Sequence, residues 1–181
     1  MNFLQVFPKY STAIKSRFRN AWYQVLGVDI QGYVWMQKVS IPRNWTDIRL
    51  EKGSSLDDGV VLLCSGSPKK EKILIGEGTY INRYTIIDAH SSVEIGQNCM
   101  IGPHCYITDG DHNKDPDNLI KNQPITSSLV KIENNVWIGA GVKILKGVNI
   151  GSGAVIGAGS VVTKSINPNT VSAGVPAKII R

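Results

Sequence analysis

An aliphatic side chain recurs at every sixth position over long stretches of the chain. From Ile132 the steps land on Ile138, Ile144, Ile150, Ile156 and Val162. Backwards from Ile107 they land on Ile101 and Ile95, and further series run through Ile75, Ile81 and Ile87 and, more faintly, Leu50, Leu56 and Leu62. Glycine follows the aliphatic at Gly76, Gly96, Gly102, Gly139, Gly151 and Gly157. Four residues after the aliphatic sits something small or β-branched: Thr79, Cys99, Cys105, Val136, Val142, Val148, Ala154 or Ser160. Six is not a helical period, and a plain strand would not repeat glycine at that interval. The pattern predicts short strands joined by turns, three to a triangular coil of eighteen residues. The aliphatic and the small residue would point inward, and the glycine region would make the corner, where a positive φ is often needed. No such coil buries its core alone, so the coils must stack.

Two interruptions break the six-step. Residues 65–72 form a polar excursion. Residues 108–130 carry Gly110, Asp111, His112, Asn113, Pro116, Asn118 and Pro124, and predict a loop protruding from a rigid scaffold, where function concentrates. Residues 1–27 differ from the rest. Ser11 could cap a helix with Ile14, Phe18, Ala21, Trp22 and Val25 on one face and Lys15, Arg17 and Arg19 elsewhere, ended by Gly27. The helix is expected to pack on the first coil or on a neighbouring subunit. The rival reading is a peripheral helix on an anionic membrane. Two segments follow: a helical one over 1–27 and a β-helical one over 28–181.

Composition agrees with the repeat. Among 181 residues, 18 are glycine and only 19% are charged, which excludes a coiled coil and argues against an acidic disordered chain or a helical bundle. A net charge of +6 and a pI of about 9.3 point to an anionic partner: nucleic acid, membrane or a phosphate-rich cofactor. Cys64, Cys99 and Cys105 have no metal-type spacing and are read as reduced thiols of a cytoplasmic protein, with Cys99 and Cys105 as core residues. The run Phe3 to Phe7 is too short for a signal peptide, and no stretch approaches a membrane span.

Of the three histidines, His104 lies at a repeat corner. His90 sits in Asp88-Ala89-His90-Ser91-Ser92, where the six-step gains two residues, and reads as a surface or interface side chain. His112 stands at the root of the 108–130 loop beside Asp109 and Asp111. From the residues alone it is equally a surface histidine and a base whose tautomer the carboxylates would fix.

The stretch Ile101-Gly102-Pro103-His104-Cys105-Tyr106-Ile107-Thr108-Asp109-Gly110-Asp111-His112 resembles the active-site stretch of the hexapeptide-repeat O-acetyltransferases that act on maltose, galactosides, nodulation factors and glycans. So do three further blocks: Asn134 to Gly141, Ile156 to Lys164, and Ala173 to Arg181. The resemblance covers about residues 28–181 and implies an all-β, left-handed parallel β-helix. It implies an acetyl-CoA-dependent O-acetyltransferase with His112 as general base and Asn82 positioning the acceptor hydroxyl. Trp137, Ala140, Ala158, Thr163, Lys164, Lys178 and Arg181 would bind the donor, with a backbone N–H near Ala140 facing the thioester. Asn82, Tyr84, Asp88, Asp109 and Asp111 would meet the sugar. Arg83 and Tyr84 are not the typical neighbours of that asparagine, and the Asp-His-Asn run is more like enzymes that decorate surface polysaccharides. The resemblance further implies a homotrimer with sites between subunits, cytoplasmic or at the inner membrane face, with no metal and no nucleic acid.

Three rival readings stand beside it. An N-acetyltransferase of an amino sugar or antibiotic would share the donor site. A γ-carbonic-anhydrase-like metal enzyme needs three converging histidines, whereas His90, His104 and His112 do not follow the eighteen-residue coil spacing. A non-catalytic scaffold or nucleic-acid binder would suit the pI, but the basic residues are scattered and no aromatic-interleaved basic patch occurs.

Overall fold

The computed structural model describes residues 3–181, with side chains from Ser11 onward; the side chain of Lys9 lies outside that description. The six-residue steps become the corners and faces of a triangular parallel β-helix. A first face has six strands, from Asp29–Ile30 to Asn149–Ile150. A second has eight, from Trp35–Met36 to Lys178–Ile179, and a third five, from Val61–Cys64 to Val161–Val162. Pairing within the three faces is parallel, except that the last strand, Lys178–Ile179, runs antiparallel to Val171–Ala173. Like side chains stack in register: Ile81 on Ile101, Ile101 on Ile138, Ile138 on Ile156. Every one of these aliphatics is buried, as are Thr79, Cys99, Cys105, Val136, Val142, Val148, Ala154 and Ser160 four residues later.

The corners carry the expected positive φ, but at a particular position. The glycine directly after the aliphatic does not have a positive φ; it is required by close approach. A Cβ on Gly102 would lie 2.7 Å from the Ala140 nitrogen, and one on Gly139 would lie 2.6 Å from the Ala158 nitrogen. The left-handed residue comes two positions later, at Gly141 and Gly159, and at the non-glycines Tyr84, Asn98, His104 and Asn135.

Eighteen-residue coils hold only in the carboxy-terminal part. The excursion at residues 65–72 and the two extra residues near His90 lengthen earlier coils, so Leu56 pairs with Ile81 and Ile81 with Ile101. The 65–72 segment is pinned by a buried ion pair, Lys72 Nζ to Asp47 Oδ2 at 3.2 Å, with the same ammonium donating to the Ser65 carbonyl at 2.7 Å. The loop leaves after Thr108 and returns at Val130. Its base is an antiparallel ribbon, Gly110–His112 with Ile125–Ser127.

The amino-terminal helix, α1 (Phe3–Leu26), ends at Gly27 with φ 109°. Ser11 is inside the helix, not at its cap. The helix packs on the first coil, as expected, but the face it turns to the prism is the polar one. The first coil presents an open sheet edge whose N–H and C=O groups need partners, and an apolar stripe could not supply them. Asn20 does so reciprocally, donating to the Val34 carbonyl at 2.8 Å and accepting the Val34 N–H at 3.1 Å. Ser16 Oγ accepts the Met36 N–H at 2.8 Å, and Tyr23 donates to the Val39 carbonyl at 3.0 Å. Ile14, Phe18, Trp22 and Val25 point away and are exposed.

Candidate functional site

The residues singled out above fall on two different edges of the prism. Between the second and third faces run the corners that contain Asn82, Tyr84, Ala140 and Ala158. Between the third and first faces lie the root of the 108–130 loop and the corner with Thr163 and Lys164. Each edge has its own cleft.

The first cleft, about 410 Å³, is walled by Asn82, Met100, Pro103, Trp137, Ala140 and Ala158. Its outer row is apolar because Tyr80, Met100, Trp137 and Val155 pair in register on neighbouring strands. Its floor is bare backbone because Gly102, Gly139 and Gly157 must lack side chains there. Among the described residues the N–H of Ala140 has no hydrogen-bond partner, while its carbonyl accepts the Gly159 N–H at 2.8 Å. The Asn82 side-chain oxygen accepts the Arg83 N–H at 2.7 Å. Lys178 and Arg181 are exposed two strands beyond the cleft on the same face, roughly 10 Å further along the strand spacing.

The second cleft, about 120 Å³, is lined by Ser65, Asp88, His90, Tyr106, Asp111 and His112. Strand pairing of Thr108 with Asp88 brings it together. Tyr106 donates to Asp88 Oδ2 at 3.1 Å, and its phenol titrates above the usual value because burial and then the Asp88 charge oppose ionisation. His90 Nδ1 lies 3.3 Å from Ser65 Oγ. Asp111 pairs with Lys146 at 3.6 Å.

Two expected acceptor residues are placed elsewhere. Asp109 is fully buried, and its carboxylate accepts the N–H groups of His90, Ser91 and Ser92 at 2.6, 2.7 and 2.5 Å. It builds the cleft and does not face it. Tyr84 lines neither cleft. It stacks on His104 across consecutive coils, with ring centroids 5.3 Å apart. His90 and His112 share a cleft despite their irregular spacing, because the two-residue insertion shifts the register. The sequence reading missed His90, Ser65 and Tyr106 here; the extra two residues at His90 were the available signal. Thr163 and Lys164 are separated from Trp137, Ala140 and Ala158 by the third face.

Among the described residues no group of three His, Cys, Asp or Glu side chains could hold a metal ion. The cysteines are buried. Burial, reinforced by Asp47, pushes the Cys64 thiol up to about 12, and burial raises Cys99 and Cys105 as well. None is an activated nucleophile.

A stacked hexapeptide prism with a small-residue cleft and a histidine-bearing loop defines the scaffold. Comparison with known proteins makes this specific. Residues 129–164 match the family model "Bacterial transferase hexapeptide (six repeats)", and residues 92–110 match "Hexapeptide repeat of succinyl-transferase". A hexapeptide-repeat-containing acetyltransferase of Vibrio cholerae, also solved with acetyl-CoA, is 30% identical. The alignment covers 72% of this chain and 70% of that one, with a TM-score of 0.64. The galactoside O-acetyltransferase of Escherichia coli K12 is 46% identical over 110 residues, 60% of this chain and 53% of the relative. The N-acyltransferase AntD of Bacillus cereus is similar in fold at 23% identity, covering 90% of this chain and 87% of its own, with a TM-score of 0.75. The chain therefore belongs to the hexapeptide-repeat acetyltransferase family, and its prism is the left-handed β-helix of that family. It spans about half the length of the curated relatives it matches.

Proposed function

We propose that this protein transfers the acetyl group of acetyl-CoA to a hydroxyl of a sugar, within a surface polysaccharide or its precursor. The observation that carries the reading is the first cleft: a thin, apolar, backbone-floored groove ending at Asn82, with cations further along the same face. It fits a long thioester arm that leads to charged phosphates. Similarity to a galactoside O-acetyltransferase supports a sugar hydroxyl as acceptor.

In this reading Trp137 and Ala140 wall the groove for the acyl thioester, Ala158 and Thr163 line the pantetheine and adenine path, and Lys164, Lys178 and Arg181 meet the phosphates. His112 takes the hydroxyl proton. The oxygen attacks the thioester carbonyl while Asn82 orients it. The tetrahedral oxyanion forms against the unpartnered N–H of Ala140. Collapse breaks the carbon–sulfur bond, and the proton held on His112 goes to the departing thiolate. The cysteines, buried and with thiols raised above their usual value, offer no nucleophile for a covalent acyl-enzyme.

Asn82 and His112 line clefts on different edges of one chain. We therefore propose a homotrimer in which the Asn82 edge of one prism meets the His112 edge of the next, so each site is built from two chains. The split of the donor residues supports the same arrangement: Thr163 and Lys164 lie at the edge that carries His112.

A second reading, an amine acceptor, draws on Asp88 and Asp111 in the His112 cleft, two carboxylates that would attract a protonated amino sugar. Acetyl-CoA turnover against a panel of sugars and amino sugars separates the two. The His112→Ala variant is expected to lose about 10²- to 10⁴-fold in kcat, with little change in the acetyl-CoA KM. Near-normal turnover by that variant would refute His112 as the base.

A further inference from the structure

The outer face of α1 shares no residue with either cleft. Ile14, Phe18, Trp22 and Val25 are 55%, 73%, 61% and 81% exposed, and Ala21 lies open among them. At about 100° per residue these five side chains form one stripe opposite Ser16 and Asn20, the residues that hold the helix to the prism. Lys15 borders the stripe on one side and Arg17 on the other, both exposed. Ile14, Arg17, Phe18 and Ala21 together line a shallow apolar groove. Because the polar face is spent on the sheet edge, the apolar stripe points away from the body of the protein.

Charge identifies the occupant. Lys9, Lys15, Arg17 and Arg19 precede Asp29, and no acidic residue does. Arg19 is turned inward, donating to the Met36 carbonyl at 3.3 Å, and Arg17 lies over the Tyr33 ring at 5.3 Å. A second copy that presented the same stripe would bring like-charged borders together. An anionic lipid surface matches both parts: acyl chains for the stripe, headgroup phosphates for its borders. We propose that α1 docks the enzyme on an anionic phospholipid surface, with the Ile14–Phe18–Trp22–Val25 stripe in the acyl boundary and Lys15 and Arg17 at the phosphates.

Vesicle co-sedimentation of the full chain tests this without reference to activity. The wild type is expected to pellet with phosphatidylcholine vesicles containing phosphatidylglycerol, and to stay in solution with phosphatidylcholine alone. A Phe18→Ser/Trp22→Ser variant is expected to lose at least about tenfold in partitioning, and Lys15→Glu/Arg17→Glu to lose binding to the anionic vesicles. Both should keep the wild-type sedimentation coefficient; Phe18→Ser/Trp22→Ser should keep the melting temperature, and Lys15→Glu/Arg17→Glu should lose only the small contribution of the Arg17–Tyr33 contact. Absence of wild-type binding to the anionic vesicles, or equal binding to neutral ones, overturns the proposal. A changed sedimentation coefficient in Phe18→Ser/Trp22→Ser also overturns it, by assigning the stripe to a contact between copies.

Discussion

The carboxylate of Asp109 ties the root of the 108–130 loop to the corner that carries His90. It is buried and accepts three consecutive backbone N–H groups. Asp109→Asn keeps the volume but loses the charge and one acceptor oxygen, leaving buried donors unpaired. The expected cost is about 2–4 kcal/mol, read as a lower unfolding midpoint. His90 and His112 should lose their common placement with it. The sequence marked Asp109 as chemically important but gave it the wrong partner. Proximity along the chain suggested His112 and substrate, whereas the partners come from the coil before. The thiols give a second test. At pH 8 the native protein should resist iodoacetamide and, once unfolded, label at Cys64, Cys99 and Cys105. The raised Cys64 value has a sign for stability. Below about 9 both states keep the proton. Between 9 and about 12 only the unfolded chain releases it, so stability should fall as pH rises through that window.

Elements depend on two kinds of corner glycine, and the sequence showed only that glycine recurs. Gly139→Ala would drive a Cβ into the backbone of the next coil, 2.6 Å from the Ala158 nitrogen, and neither coil can move without breaking its ladder. Gly159→Ala meets open space and bears only the left-handed φ of 71°, a cost of about 1 kcal/mol. Thermal melts should therefore show a severe loss for the first and a mild one for the second; equal losses would contradict this division. The strands and the loop boundaries were legible because a six-residue period with inward aliphatics has few physical solutions. The orientation of α1 was not. A hydrophobic stripe identifies the face that leaves water in a helix packed on an apolar core, but the end of this prism offers backbone edges, and Ser16 and Asn20 answer them.

At the scale of the whole molecule, insertions decide which residues meet. The excursion at residues 65–72 and the two extra residues near His90 bring Ser65, Asp88, His90 and His112 to one cleft. The uninterrupted carboxy-terminal coils align Trp137 with Val155 and Ile138 with Ile156 in the other. The sequence pointed to Asp88 and His112 in the one and to Trp137, Ala140 and Ala158 in the other, and not to Ser65 or His90; which edge each occupies needed the register. The split predicts an assembly of about three times 19.8 kDa by sedimentation, with no activity from a monomer. Its most direct test is subunit complementation. Asn82→Ala and His112→Ala chains, each inactive alone, are unfolded together in equal amounts and refolded as mixed trimers. If each site takes Asn82 from one chain and His112 from its neighbour, every mixed trimer contains one intact site, and acetyl-CoA turnover should return to about a quarter of the wild-type level. Turnover no higher than that of the separate variants, with mixed trimers demonstrably formed, would contradict a site shared between chains.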